Sequence, residues 1–195
     1  MEQELSELSL ENDFKRDKIG LPHRGLVLLI GSLLLLVAAI AVLVILMPKK
    51  NTMPCFSEIM TSNHKAFDHP DYGTVDWVEI HNPTDADIDL SGFGFTNEIK
   101  RTYRYRFPEG TVLKPGEYLL LYCTGGTETS DADPFCTGFN LSASGEDLYL
   151  VNAHNVEADE VHVPALESDT SWARNADGDF AVTEFPTPGE ANRFE

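Results

Sequence analysis

DWVEIHNPTDADIDLSGFGFTNE, residues 76–98, opens on strict alternation and closes on an aromatic run broken by glycine. In an extended chain Val78 and Ile80 fall on one face, and Trp77, Glu79 and His81 on the other. Asn82-Pro83 ends that strand, because proline has no N–H to give to a ladder. Leu90-Ser91-Gly92 then turns the chain into GFGFT, where Phe93 and Phe95 share a face and Gly94 leaves room opposite. Each of these features is scaffold chemistry, and none is a reaction centre.

The same pattern extends in both directions. CFSEIMT precedes this stretch, and YRYRFP, EYLLLYC, DLYLVN and DEVHVPA follow it as short apolar or alternating runs. Pro108-Glu109-Gly110, Pro115-Gly116, Ser144-Gly145 and Asp177-Gly178 stand between and after them, where Gly supplies positive φ and Pro presets φ. No amphipathic helical period appears after Asn51. Roughly 140 residues of this kind suffice for one two-sheet core, so the expectation is all-β, a β-sandwich.

Upstream the composition changes. GLVLLIGSLLLLVAAIAVLVILM, residues 25–47, carries no charge. As a helix it is about 35 Å long at about 1.5 Å per residue, enough for a hydrocarbon core of about 30 Å. A buried core helix rarely stays apolar all round for this length. A cleaved signal peptide would need a shorter apolar region followed by a small-residue processing site, and the one A-x-A arrangement, Ala39-Ile40-Ala41, lies inside the run. The expectation is an uncleaved transmembrane helix preceding the β-sandwich. The chain then divides into a cytosolic tail (1–24), the helix (25–47), a short linker (48–54), the β domain (55–192) and a terminal stub (193–195). Lys15, Arg16, Lys18 and Arg24 precede the helix, against Lys49 and Lys50 after it. This bias places the N-terminus inside and the C-terminal part outside the cell membrane.

Charge sharpens the division. The chain's formal charge is −18, and after Asn51 there are 8 Lys+Arg against 26 Asp+Glu. Such a domain is repelled by nucleic acid phosphates and anionic headgroups, which disfavours non-specific nucleic acid binding while leaving room for a local basic patch.

Residues 76–98 resemble the opening of the lamin tail domain, an immunoglobulin-like β-sandwich, and the resemblance continues in order. RFPEGTVLKPGEYLLLYC, FNLSASGEDLYLVNAHNVEADEV, and DTSWARNADGDF with PTPGEAN look like that family's later hairpins and closing segment. The heptad rod, prenylation signal and basic localisation run of nuclear lamins are absent, so a nuclear filament role is not expected. The resemblance implies instead the module of exported or surface-anchored bacterial proteins, where it tethers or binds, often beside an enzyme. No partner domain is expected here.

Three groups of residues are candidates for chemistry. His64, Asp68, His69 and Asp71 crowd TSNHKAFDHPDYG; they could ligate a metal, or form a polar loop without the close ligand spacing of zinc motifs. Asn175–Asp179 resembles a calcium loop, but its glycine is out of register and a hairpin turn is expected. Lys100, Arg101, Arg104 and Arg106 hold half of the domain's positive charge. They either form an anion site with nearby aromatic edges or pair with neighbouring acids, while Trp77 either covers the sandwich or lies on a binding surface. Among Cys55, Cys123 and Cys136 one pair is possible. Cys123–Cys136 closes a polar loop, worth about 3 kcal/mol in the chain-entropy model; three thiols, or a bond to Cys55, are the alternatives.

No nucleophile elbow, phosphate loop or paired-carboxylate motif is visible. The expected function is a non-enzymatic, membrane-anchored binding, tethering or scaffolding module with a protein or anionic wall-polymer partner. Neither a cofactor nor a small-molecule substrate is expected. An accessory localisation subunit for a separate enzyme is the alternative, and a metal-dependent hydrolase a weaker one.

Overall fold

The computed structural model describes residues 23–46, 52–126 and 134–195. The expectations for the tail before His23, for residues 47–51 and for the loop 127–133 lie outside the described residues. The chain divides into two units, Met1–Lys49 and Lys50–Glu195.

The first unit contains helix α1, His23–Leu46. Val27, Leu28, Ile30, Leu33, Leu34, Leu35, Leu36, Val37 and Ile40 are all exposed on it. Among the described residues no helix is long and apolar enough to cross a membrane.

The second unit is β throughout, as alternation and turn residues predict. Its larger sheet joins, in spatial order, β12 (Phe180–Thr183), β11 (Ser171–Arg174), β1 (Cys55–Met60), β2 (Asp76–His81), β7 (Tyr118–Cys123) and β8 (Cys136–Thr137). All neighbours are antiparallel except β7 and β8. The second sheet is β10 (Glu157–Val163), β9 (Glu146–Val151), β4 (Gly94–Thr96) and β5 (Tyr105–Arg106), and β3 (Ile88–Asp89) pairs with β6 (Val112–Leu113) as a ribbon. SWAR and FAVT, not read as strands from sequence, form the β11–β12 hairpin around the Asp-Gly turn.

The two main sheets meet in one core. Phe56, Ile59, Val78, Ile80 and Leu121 of the larger sheet share a buried cluster with Phe95, Leu148, Leu150, Val161 and Val163 of the smaller. Phe56 meets Phe95 edge-on across the interface, 6.1 Å between centroids. Each such side chain contributes about 1.5–3 kcal/mol by leaving water. Phe93 and Phe95 both enter this core, as their shared face predicts. The space at Gly94 is filled: a Cβ there would lie 2.4 Å from the Thr102 carbonyl oxygen and 2.5 Å from the Tyr103 ring. Asn82, fully buried, ends β2 by donating to the carbonyls of Ala86 and Leu113 and accepting from the Thr84 N–H and hydroxyl.

Of the two alternatives for Trp77, the fold takes the covering role: on the face away from Val78, Trp77 and Glu79 are both fully buried, with Glu58 beside them. Two segments outside the sheet cover it, one local and one distant in sequence. Phe67, in the loop between β1 and β2, lies edge-on to Trp77 at 6.5 Å. The closing segment 184–192 lays the Thr187 and Gly189 N–H groups over Glu58 and Glu79.

Candidate functional site

The arginine cluster does not form the regular strand that alternation predicts. Residues 99–101 make a short 3-10 turn, and the Arg104 N–H returns to the Arg101 carbonyl. Extended pairing starts only at Tyr105, so Tyr105 and Phe107 point into the core while Tyr103 does not. The Tyr103 hydroxyl donates instead to the Asn152 carbonyl, at 2.8 Å.

This break builds an open groove of about 480 Å³ lined by Arg101, Tyr103, Arg104, Tyr105, Arg106, Gly138 and Phe139. The Arg106 guanidinium lies 3.9 Å above the Tyr103 ring, and that of Arg104 lies 4.3 Å above Phe139. Arg106 Nη1 donates to the Gly92 carbonyl at 3.0 Å, and Arg104 Nη1 to Asn97 Oδ1 at 2.6 Å. Arg101 makes an exposed ion pair with Glu98 at 3.4 Å. The alternative that neighbouring acids neutralise the cluster therefore holds for Arg101; among the described residues no carboxylate pairs with Arg104 or Arg106. Lys100 sits on the turn, exposed, and does not line the groove. Gly138 and Phe139 escaped sequence reasoning because they follow β8 of the other sheet, more than thirty residues away; no local spacing signals them.

The other candidates have structural roles here. The carboxylate of Asp169 accepts the backbone N–H groups of His64, Lys65 and Ala66 and so organises the loop. Those bonds hold the Asp169 carboxyl below its ordinary value. His69 lies between the Tyr72 and Tyr122 rings and its Nδ1 accepts from the Asp71 N–H. Among the described residues no three His, Cys, Asp or Glu side chains form a metal-sized group. Asn175–Asp179 is a hairpin turn, with Asn175 Oδ1 accepting from the N–H groups of Asp177 and Asp179. Trp77 covers the sandwich and, being buried, offers no binding surface.

The expected Cys123–Cys136 bond is not made: Cys55, Cys123 and Cys136 are all buried thiols. The reason is register. Cys136 stands opposite Tyr122, and Cys123 opposite Thr137, so the two cysteines project from opposite faces of the sheet. Joining them would require a one-residue slip. Burial raises the Cys55 thiol to about 11 and pushes Cys123 up as well, so neither is a ready nucleophile. Alkylation of the denatured, unreduced chain should add three groups by intact mass; a single addition would show a bridge.

A carboxylate pair that sequence reading missed lies under the closing segment. Glu58 and Glu79 are directly opposite on β1 and β2 and both fully buried. Glu58 accepts the Ser171 hydroxyl and both the N–H and hydroxyl of Thr187. Glu79 accepts the Gly189 N–H at 2.6 Å through Oε2, while its Oε1 accepts no hydrogen bond among the described residues. Burial raises both carboxyls; that of Glu79 reaches about 8, pushed further by the charge of Glu58. The donors distinguish the pair: three reach Glu58 and one reaches Glu79, so burial weighs more heavily on a charge at Glu79. Closed off by residues 187–189, the pair is an internal fastening. The signal for it was an acid centred in each of two apolar strands, CFSEIM and DWVEIH.

The fold and groove together define a two-sheet β-sandwich with an apolar core and an arginine-lined groove at β5. The Lamin Tail Domain family model matches residues 49–165, more than half of the chain, and the protein belongs to that family. The match ends before β11, β12 and the closing segment, which complete the larger sheet and its cover. No curated protein matches the chain.

Proposed function

We propose that this protein is a membrane-anchored binding module, with the apolar run Gly25–Met47 crossing the cell membrane and the lamin tail sandwich working outside it as a tether. The observation that carries the binding role is the groove at β5, where two arginines rest on aromatic rings with no acid neutralising them among the described residues. The two sheets share one apolar core, and the buried acids Glu58 and Glu79 are held by the chain's own N–H and hydroxyl groups. Support for the anchor is the uncharged run itself, whose described large apolar side chains are exposed around the helix. An apolar helix with nothing covering it is stable in lipid rather than in water. Eight residues, 47–54, separate Leu46 from β1, so the tether is short.

Fractionation of cells making the full chain tests the anchor. The protein should sediment with membranes and resist alkaline carbonate, and deletion of 25–47 should move the sandwich to the supernatant. Release of the intact chain by carbonate would overturn the anchor.

A further inference from the structure

We propose that the groove between β5 and the Gly138–Phe139 corner binds a discrete phosphate-bearing group; this rests on the binding-module reading and names the chemistry that the module takes. Three observations converge on it. The Arg104 and Arg106 guanidiniums are each held against a ring, at 4.3 and 3.9 Å, which restrains the long side chains before any ligand arrives. Among the described residues each has one hydrogen bond to a protein oxygen, leaving most of its five donors for a ligand. The groove, about 480 Å³, is of a size for a phosphate and a small polyol or sugar attached to it.

The chemistry selects phosphate. Two guanidinium forks lining one groove match a multi-oxygen anion, and Arg101 adds a third cation to the lining. The Glu98 partner of Arg101 is exposed and its ion pair weak, so it yields readily. Charge selects a discrete group rather than a long polyanion. A chain of net charge −18 repels an extended anionic polymer, whereas one phosphate presented to the groove meets mainly its arginines.

The test uses the full chain in nanodiscs of zwitterionic phosphatidylcholine, titrated calorimetrically with glycerol 3-phosphate and, as control, glycerol. In a second arm the nanodiscs are mixed with vesicles containing phosphatidylglycerol, and co-sedimentation is measured. Glycerol 3-phosphate should bind and glycerol should not. Arg104→Ser/Arg106→Ser should weaken binding at least about tenfold with the melting temperature unchanged. Arg104→Lys/Arg106→Lys should recover part of it, since lysine keeps the charge and loses the fork. Binding confined to the vesicles and lost in the Ser variant assigns the phosphate to a lipid headgroup; binding of the soluble ester assigns it to a soluble or wall-borne source. Wild-type protein that binds neither probe, or a folded Ser variant that binds as well as wild type, would overturn the proposal. Should the Ser variant fail to fold, equal binding by the folded Lys variant and wild type would also overturn it. Membrane retention of the arginine variants should match wild type, so failure of the titration is separable from failure of the anchor.

Discussion

Raising the pH from 5 to 9.5 should destabilise the sandwich by a few kcal/mol, and Glu79→Gln should remove most of that dependence. Glu79 has an ordinary carboxyl value of 4.5 and reaches about 8 in the fold, so the folded state holds a proton that the unfolded state releases. Stability from that proton is complete below about pH 4.5, declines above it, and is lost as pH rises through about 8. Burial moves Glu58 and Asp76 in the same direction. Above pH 8 two adjacent anions face each other with one N–H donor on Glu79, and the closing segment loses its hold. Glutamine keeps an acceptor for the Gly189 N–H and needs no proton. Melting curves followed by the fluorescence of buried Trp77 and half-buried Trp172 should therefore fall by roughly 10 °C across this range in wild type. The Gln variant should stay nearly flat and melt above wild type at pH 9.5. Parallel curves for the two proteins would show that the pair does not titrate with folding.

Arg174→Ala should cost about 2–3 kcal/mol, because it strips a partly buried carboxylate of its charged partner. Arg174 Nε donates to the Phe56 carbonyl at 2.9 Å, Nη1 to the Gly178 carbonyl at 3.0 Å and Nη2 to Asp159 Oδ2 at 2.7 Å. Asp159 also accepts the Phe56 N–H at 2.8 Å, so one ion pair ties β1, β10 and β11 to the β11–β12 turn. The guanidinium rests 4.4 Å above the Phe180 ring. Burial pushes the Asp159 carboxyl up while Arg174 pulls it down; with two short donors on one oxygen, the ionised form fits the geometry. Removing the arginine leaves that carboxylate half-partnered at the junction of both sheets. Arg174→Ala/Asp159→Ala should be less destabilised than the sum of the single variants, because the second change removes the stranded charge. A loss below about 1 kcal/mol in urea unfolding of Arg174→Ala would contradict this role.

Much of this fold was readable because local chemistry and final structure agree. Val78 and Ile80 alternate into the core, Asn82-Pro83 ends β2, and Phe93 and Phe95 enter together across Gly94. What escaped reading depends on contacts between distant segments. Glu79 looks like a solvent-facing strand residue until Gly189, 110 residues later, is laid over it. Cys123 and Cys136 look like partners across a polar loop until the parallel β7–β8 register turns them to opposite faces. The arginine cluster was visible as composition. Its use was not, because Phe139 and Gly138 arrive from β8 and because the turn at 99–101 breaks the alternation.

Recognition of an anionic group by this lamin tail sandwich through Arg104 and Arg106 is tested residue by residue by arginine-directed labelling. The full chain is treated with phenylglyoxal with and without glycerol 3-phosphate, and adducts are mapped by peptide mass. Labelling of Arg104 and Arg106 should fall when the phosphate is present, while exposed Arg193, outside the groove, should label equally in both. Unchanged labelling of Arg104 and Arg106 at saturating phosphate would contradict the claim.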